Sequence, residues 1–125
     1  MKEKLDCLRN NKFLEVKSWG GFSVMPGYNG FIITNDKMIY YYHSYHHIPS
    51  YLKDEIPLEF ISEGEKINDD IYIKLLDYIK RNISGKKFNI ISIFDAGYSV
   101  SGCDFNISNH YDIYNDLKKI VGGKL

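Results

Sequence analysis

With 125 residues, the chain has the size of one domain, enough for a single buried core and too little for a multidomain machine. Its 16 Lys plus Arg balance 16 Asp plus Glu, so no overall positive field draws it onto nucleic acid or an anionic membrane surface. Phe, Ile, Asn, Lys and Tyr, all with AT-rich codons, supply 59 residues, and Lys outnumbers Arg 14 to 2. This usage points to an AT-rich bacterial or phage genome, so the abundance of tyrosine is not by itself read as a site.

The opening residues, Met1 to Arg9, hold no apolar leader, and no stretch approaches the roughly 18 apolar residues of a membrane span. A cytoplasmic protein without membrane attachment is expected. Cys7 and Cys103, far apart in such a chain, are expected to be reduced thiols rather than a bridge.

In chain order, residues 2–10 form a short helix with Leu5 and Leu8 inward, ended by Asn10-Asn11. Phe13–Trp19 and Phe22–Met25 are then predicted as strands of a hairpin turning at Gly20-Gly21. Pro26-Gly27-Tyr28-Asn29-Gly30 reads as a turn cluster. A second hairpin follows, Phe31–Thr34 and Met38–Tyr45 around Asn35-Asp36-Lys37, which completes a four-strand meander. Residues 46–58, with Pro49 and Pro57, are a loop with one helical turn near Ser50–Asp54, and Leu58–Ser62 is a short edge strand.

The clearest helix begins at Asn68 or Asp69 and runs to about Ile83. Ile71, Tyr72, Leu75, Leu76, Ile79 and Ile83 share one broad apolar face, and Asp70/Lys74 and Asp77/Arg81 form i,i+4 pairs opposite. Ser84-Gly85 stops it. Phe88–Phe94 is apolar on both faces, as a central strand would be. Tyr98–Ile107 follows as one strand whose parity shift marks a bulge at Gly102. Ser108 or Asn109 caps a last helix with Ile113, Tyr114, Leu117, Ile120 and Val121 inward, closed by Gly122-Gly123. Residues 1–125 therefore predict one compact α+β domain: an antiparallel sheet of five to six strands, an N-terminal meander plus a C-terminal hairpin, with two main helices packed on one face.

Three constellations carry candidate chemistry. His43, His46 and His47 bring three imidazoles into five positions, and two of them with Asp104, Cys103 or His110 would suit a metal if the strand ended near Tyr45. Cys103 with His110 would make a thiolate–imidazolium pair, although Cys103 is in register with Phe105 and Ile107 and reads more simply as a small core hydrophobe. Asp95, at the end of the expected central strand, is a lone carboxylate and reads as a turn former. Neither a dinucleotide-binding nor a phosphate-loop glycine pattern is present, and Gly122-Gly123-Lys124 follows a helix, whose negative end repels phosphate. No cofactor is called for.

Charge placement says more than charge sum. From Asp54 to Asp70 the chain carries seven acids against Lys66, whereas residues 74–87 carry five bases against Asp77. The acids Glu55, Glu59, Glu63 and Glu65 fall in irregular or edge structure, where they would steer a basic partner. Tyr40, Tyr42, Tyr45 and Tyr51 are the candidate packing anchors, since a sheet covered on one face leaves an aromatic set near its surface. The core is the expected place for Trp19.

These features favour a non-catalytic protein-binding module that inhibits or neutralises another protein, in the manner of a toxin-immunity protein or a phage-encoded inhibitor. The partner is another protein with a basic surface, with neither nucleic acid nor membrane involved. A metal- or ligand-binding domain or enzyme built on His43, His46 and His47 is the alternative. A structural subunit that self-associates through the open edge of the meander is the third reading.

Overall fold

The computed structural model describes residues 2–20, 27–45, 48, 50–52, 54, 59–86 and 96–122. The elements are α1 (Lys2–Asn10), β1 (Lys12–Gly20), β2 (Gly27–Thr34), β3 (Met38–Tyr45), a 3-10 turn (Ser50–Leu52), β4 (Glu59–Ile61), β5 (Glu65–Lys66), α2 (Asp69–Asn82), β6 (Ala96–Gly102), β7 (Asn106–Ser108) and α3 (Tyr111–Val121). The strands form one antiparallel sheet in the order β4-β3-β2-β1-β6-β7, with β5 pairing with a different part of β3. This is the expected α+β fold, with seven strands among the described residues where five to six were expected.

Strand alternation sorts the sheet into two faces. Leu14 and Val16 of β1 stand opposite Ile33 and Phe31 of β2, and Val16 also stands opposite Val100 of β6. These residues, with Ile39 and Ile107, meet Leu75 and Ile83 of α2 and Ile113, Tyr114 and Leu117 of α3 in the main core. Leu75 and Leu117 are completely buried, and each such side chain contributes about 2 kcal/mol by leaving water. The two main helices thus share one face, as predicted.

The opposite face is not bare. Leu5 of α1 is buried against Ile32 and Tyr42, with Leu8, Tyr28 and Ile61 packed around them. A nine-residue helix is marginal alone, and this second cluster is what holds α1 on the sheet.

Both long helices end as local chemistry requires. The Asn68 side chain accepts from the Ile71 N–H at 3.2 Å, Asp69 and Asp70 occupy the first turn of α2 and Lys80 and Arg81 the last, matching the helix dipole. Gly85 and Gly122, both at positive φ, carry the chain out of α2 and α3. Of the two expected i,i+4 pairs, Asp77–Arg81 forms at 3.1 Å on the surface, and Asp70–Lys74 does not come within ion-pair distance.

Several expectations are corrected. Gly27–Gly30, read as a turn cluster, is strand: β1 and β2 pair from Lys12/Thr34 to Gly20/Gly27. The expected strand Phe22–Met25 lies outside the described residues, as does Phe88–Phe94, so the meander described is β1-β2-β3. Tyr98–Ile107 is two strands rather than one bulged strand. The Gly102 N–H donates to the Phe105 carbonyl at 3.0 Å, closing a turn that reverses the chain and produces the shift of parity. The cap of α3 is His110, whose Nδ1 accepts from the Ile113 N–H at 3.4 Å. Asn109 is used elsewhere: its Oδ1 accepts from the Tyr98 N–H and its own N–H donates to the Tyr98 carbonyl, which ties off β6. Leu76, expected in the core, is 43% exposed, because α2 rests on Leu75 and Ile83 and turns Leu76 outward with Ile73.

Candidate functional site

Strand β3 organises both faces. Tyr41, His43 and Tyr45 continue the face that carries α2 and α3, whereas Tyr40, Tyr42 and Ser44 look toward α1, as their partners on β2 require.

On the first face, the Tyr41 ring packs 6.0 Å from Phe31 at the margin of the core, and the row then runs outward. His43 stacks on Tyr45 (centroids 6.3 Å apart, planes 8° apart) and on Phe60 of β4 (6.1 Å, 29°), its register partner. Phe60 is 48% exposed and Tyr51, on the 3-10 turn between β3 and β4, 75% exposed. Asp54, before β4, Glu63, between β4 and β5, and Glu65, in β5, are exposed. Burial raises the Tyr41 hydroxyl pKa, and the negative charge of Glu65, which pairs with Ile39 on β3, raises it further.

On the second face lies a polar network that sequence reading missed. Glu15, on the central strand β1, is 3% exposed. Its carboxylate accepts from Arg9 of α1 through Nε at 3.2 Å and Nη2 at 3.1 Å, and from the Tyr42 hydroxyl at 2.6 Å; Lys12 Nζ lies 3.6 Å away. Lys12 also donates to Ser101 Oγ at 2.8 Å. Burial alone would push the Glu15 carboxyl up, but hydrogen bonds from Arg9 and Tyr42 and the charges of Arg9 and Lys17 outweigh it and hold its pKa below the ordinary value. The Tyr42 hydroxyl moves the other way, raised by burial and by the adjacent carboxylate. The signal was available: a Glu between Leu14 and Val16 in a strand, near one of only two arginines in a lysine-rich chain. Arg is the residue suited to fork-like contact with a carboxylate.

Beside this network, between α1 and the sheet, a cleft of about 410 Å³ is lined by Leu5, Asp6, Arg9, Lys17, Tyr28, Ser44 and Glu59. Lys17 Nζ sits 4.9 Å from the centroid of the Tyr28 ring. Burial lowers its pKa, partly opposed by Glu15 and reinforced by Arg9 and Lys12.

The expected site residues therefore separate. Tyr42 is not a surface anchor: at 1% exposure it belongs to the core under α1, where its ring packs on Leu5 and its hydroxyl serves Glu15. Tyr40 is half-buried on the α1 side, with Lys4 Nζ 5.9 Å from its ring. Tyr45 is in the aromatic row against His43, and Tyr51 is exposed on the 3-10 turn. Glu63 and Glu65 are on the surface, Glu59 turns into the cleft beside Ser44, and Glu55 lies outside the described residues.

His43 is held between two rings, and His46 and His47 lie outside the described residues, among which no group of three or more His, Cys, Asp or Glu is placed to hold a metal ion. Cys103 is exposed in the β6–β7 turn, its thiol donating to the Lys12 carbonyl at 3.2 Å, so it is not the core hydrophobe expected. His110 caps α3. Cys7 is likewise a free, exposed thiol. Asp95 and Gly123-Lys124 lie outside the described residues, and Trp19 is half-buried beside Tyr28 rather than fully in the core. No described helix is long and apolar enough to cross a membrane. Comparison with protein-family models, with curated proteins and with solved structures finds no match to this chain.

Proposed function

We propose that the protein is a non-catalytic binding module that captures or blocks another protein carrying a basic surface, acting in the cytoplasm as an inhibitor or neutraliser. The observation that carries this reading is the aromatic row Phe60–His43–Tyr45 at the β4 end of the sheet, with Tyr51 as a further exposed aromatic on the connection between β3 and β4. Large aromatic side chains kept at the surface bury much area at little cost in side-chain entropy, and such residues dominate the energetics of interfaces. The exposed acids Asp54, before β4, and Glu63 and Glu65, after it, add charge that speeds encounter with a basic partner. Glu59 is not part of this surface.

The test uses the intact protein as bait in a lysate of its source organism, beside two variants: Tyr51→Ala with Phe60→Ala, and Glu63→Gln with Glu65→Gln. A protein retained stoichiometrically by the wild type, weakened by rising salt and lost from both variants, is the expected result. Retention of the same protein by both variants, or no retained protein at low salt, overturns the reading.

A further inference from the structure

The cleft beneath α1 is separate from the aromatic row, on the opposite face of the sheet, and its charges follow an unusual pattern. Lys17, Asp6 and Glu59 all line one space of about 410 Å³, yet none of the three makes an ion pair with another or with any other described residue. Glu15 does not satisfy Lys17, because its oxygens are already engaged by Arg9, Lys12 and Tyr42. Among the described residues the Lys17 ammonium is left with the face of Tyr28 as its close partner, an arrangement that leaves its hydrogen-bond donors uncommitted there.

From this arrangement we propose that the cleft binds a small zwitterion, a molecule with a carboxylate at one end and an ammonium at the other, of the class of free amino acids, ω-amino acids and short peptides. The carboxylate is received by Lys17, with Arg9 also in the lining, and the ammonium by Asp6 and Glu59. Both signs are needed. A simple anion placed here would meet the carboxylates of Asp6 and Glu59, and a simple cation would meet Lys17 and Arg9, so each alone gains from one sign of charge in the lining and loses to the other.

The remaining walls suit the same ligand class. The Tyr28 ring and Leu5 offer apolar contact to a short aliphatic stretch, and the Ser44 hydroxyl both donates and accepts. The volume is within the roughly 300–1,000 Å³ of small-molecule sites. The site is also preorganised: the contacts of Arg9 with Glu15 and of Leu5 with Ile32 and Tyr42 fix α1 as its wall.

The experiment is a titration of the full-length, isotope-labelled protein, followed by amide chemical shifts. The probes are free L-amino acids, 4-aminobutyrate, 6-aminohexanoate and diglycine, with acetate and methylammonium as single-charge controls. Saturable shifts at Asp6, Lys17, Ser44 and Glu59 are expected with at least one zwitterion, at an affinity in the roughly micromolar to millimolar range. Whether α-amino acids, ω-amino acids or diglycine saturate the site first identifies the source of the ligand. Lys17→Met and Glu59→Gln are each expected to weaken binding about tenfold or more. The second variant keeps the test open if the first does not fold. The proposal is overturned if no zwitterion shifts these residues at millimolar concentration, if acetate or methylammonium saturates as tightly, or if a folded variant binds as well as the wild type.

Discussion

Replacing Tyr42 by Phe removes one oxygen and leaves the ring in place, so the variant isolates the contact between its hydroxyl and Glu15. That contact is 2.6 Å long, with Tyr42 1% and Glu15 3% exposed. A hydrogen bond to a charged group contributes roughly 1.5–3 kcal/mol, and water does not reach this site to replace the lost donor. Arg9 and Lys12 remain beside the carboxylate, so the loss stays below the roughly 3–5 kcal/mol of a broken buried ion pair. The expected cost is about 2 kcal/mol. Urea unfolding followed by the fluorescence of Trp19, the single tryptophan, should show it as a midpoint lowered by on the order of 1 M.

Acid supplies the decisive control on this prediction. The Tyr42 hydrogen bond is among the interactions that hold the folded pKa of Glu15 below its ordinary value. A carboxyl depressed in this way contributes stability above its unfolded pKa and loses it as pH falls through the folded pKa. The gap between wild type and Tyr42→Phe should therefore be widest near neutrality and narrow as acid protonates Glu15. A cost below about 0.5 kcal/mol, the scatter of ordinary surface substitutions, or a gap unchanged by acid, would refute the reasoning.

At alkaline pH the sign reverses: the folded pKa of Tyr42 is raised above its ordinary 10.0, so stability is intact below that value and declines as pH rises beyond it, a decline that Tyr42→Phe should lessen in alkaline melts. Gly30→Ala should cost about 1–3 kcal/mol or more by thermal unfolding, because a methyl there would lie 2.8 Å from Lys17 Cα and closer still to the Val16 carbonyl oxygen. Leu75→Ala should cost about 2–5 kcal/mol, while Leu76→Ala, on the exposed side of α2, should stay within roughly 0.5 kcal/mol; equal losses in denaturant melts would show that the orientation of α2 is misassigned. Both cysteines should react with a thiol reagent in the native protein without prior unfolding, since both are free and exposed.

The parts of the fold that follow local rules were legible in the sequence. Asn68 with Asp69 and Asp70 announces α2, Gly85 ends it, and the Asn35-Asp36-Lys37 turn between two apolar runs is the hairpin of β2 and β3. What escaped depended on contacts distant in sequence. Gly27–Gly30 looks like a turn by composition, and only pairing with β1 makes it strand. Cys103 matches the parity of a core residue until the chain reverses at Gly102–Phe105. The acidic segment and the β3 tyrosines were legible as residue types but not as places: one position of register sends Tyr42 under α1 and His43 to the outer row, and turns Glu59 away from Phe60. The cleft was not legible at all, because α1, three strands and the β3–β4 pairing must come together before Asp6, Lys17 and Glu59 share a space.

The outer margin of β3 has a consequence for how the molecule meets other chains. Tyr42–Ser44 pair with β4, Met38 and Ile39 pair with β5, and between them Tyr41 exchanges hydrogen bonds with Ser62 at 2.9 and 2.8 Å. At the far side β6 is covered by β7 and by Asn109. Among the described residues the sheet thus terminates in short strands, β4 and β5 of three and two residues on one side and β7 of three on the other. At β4, β5 and β7 an incoming strand finds only a short ladder of amide and carbonyl groups to template on, which disfavours growth edge to edge from these strands. Association there is left to side chains, which can be selective in a way that backbone pairing is not.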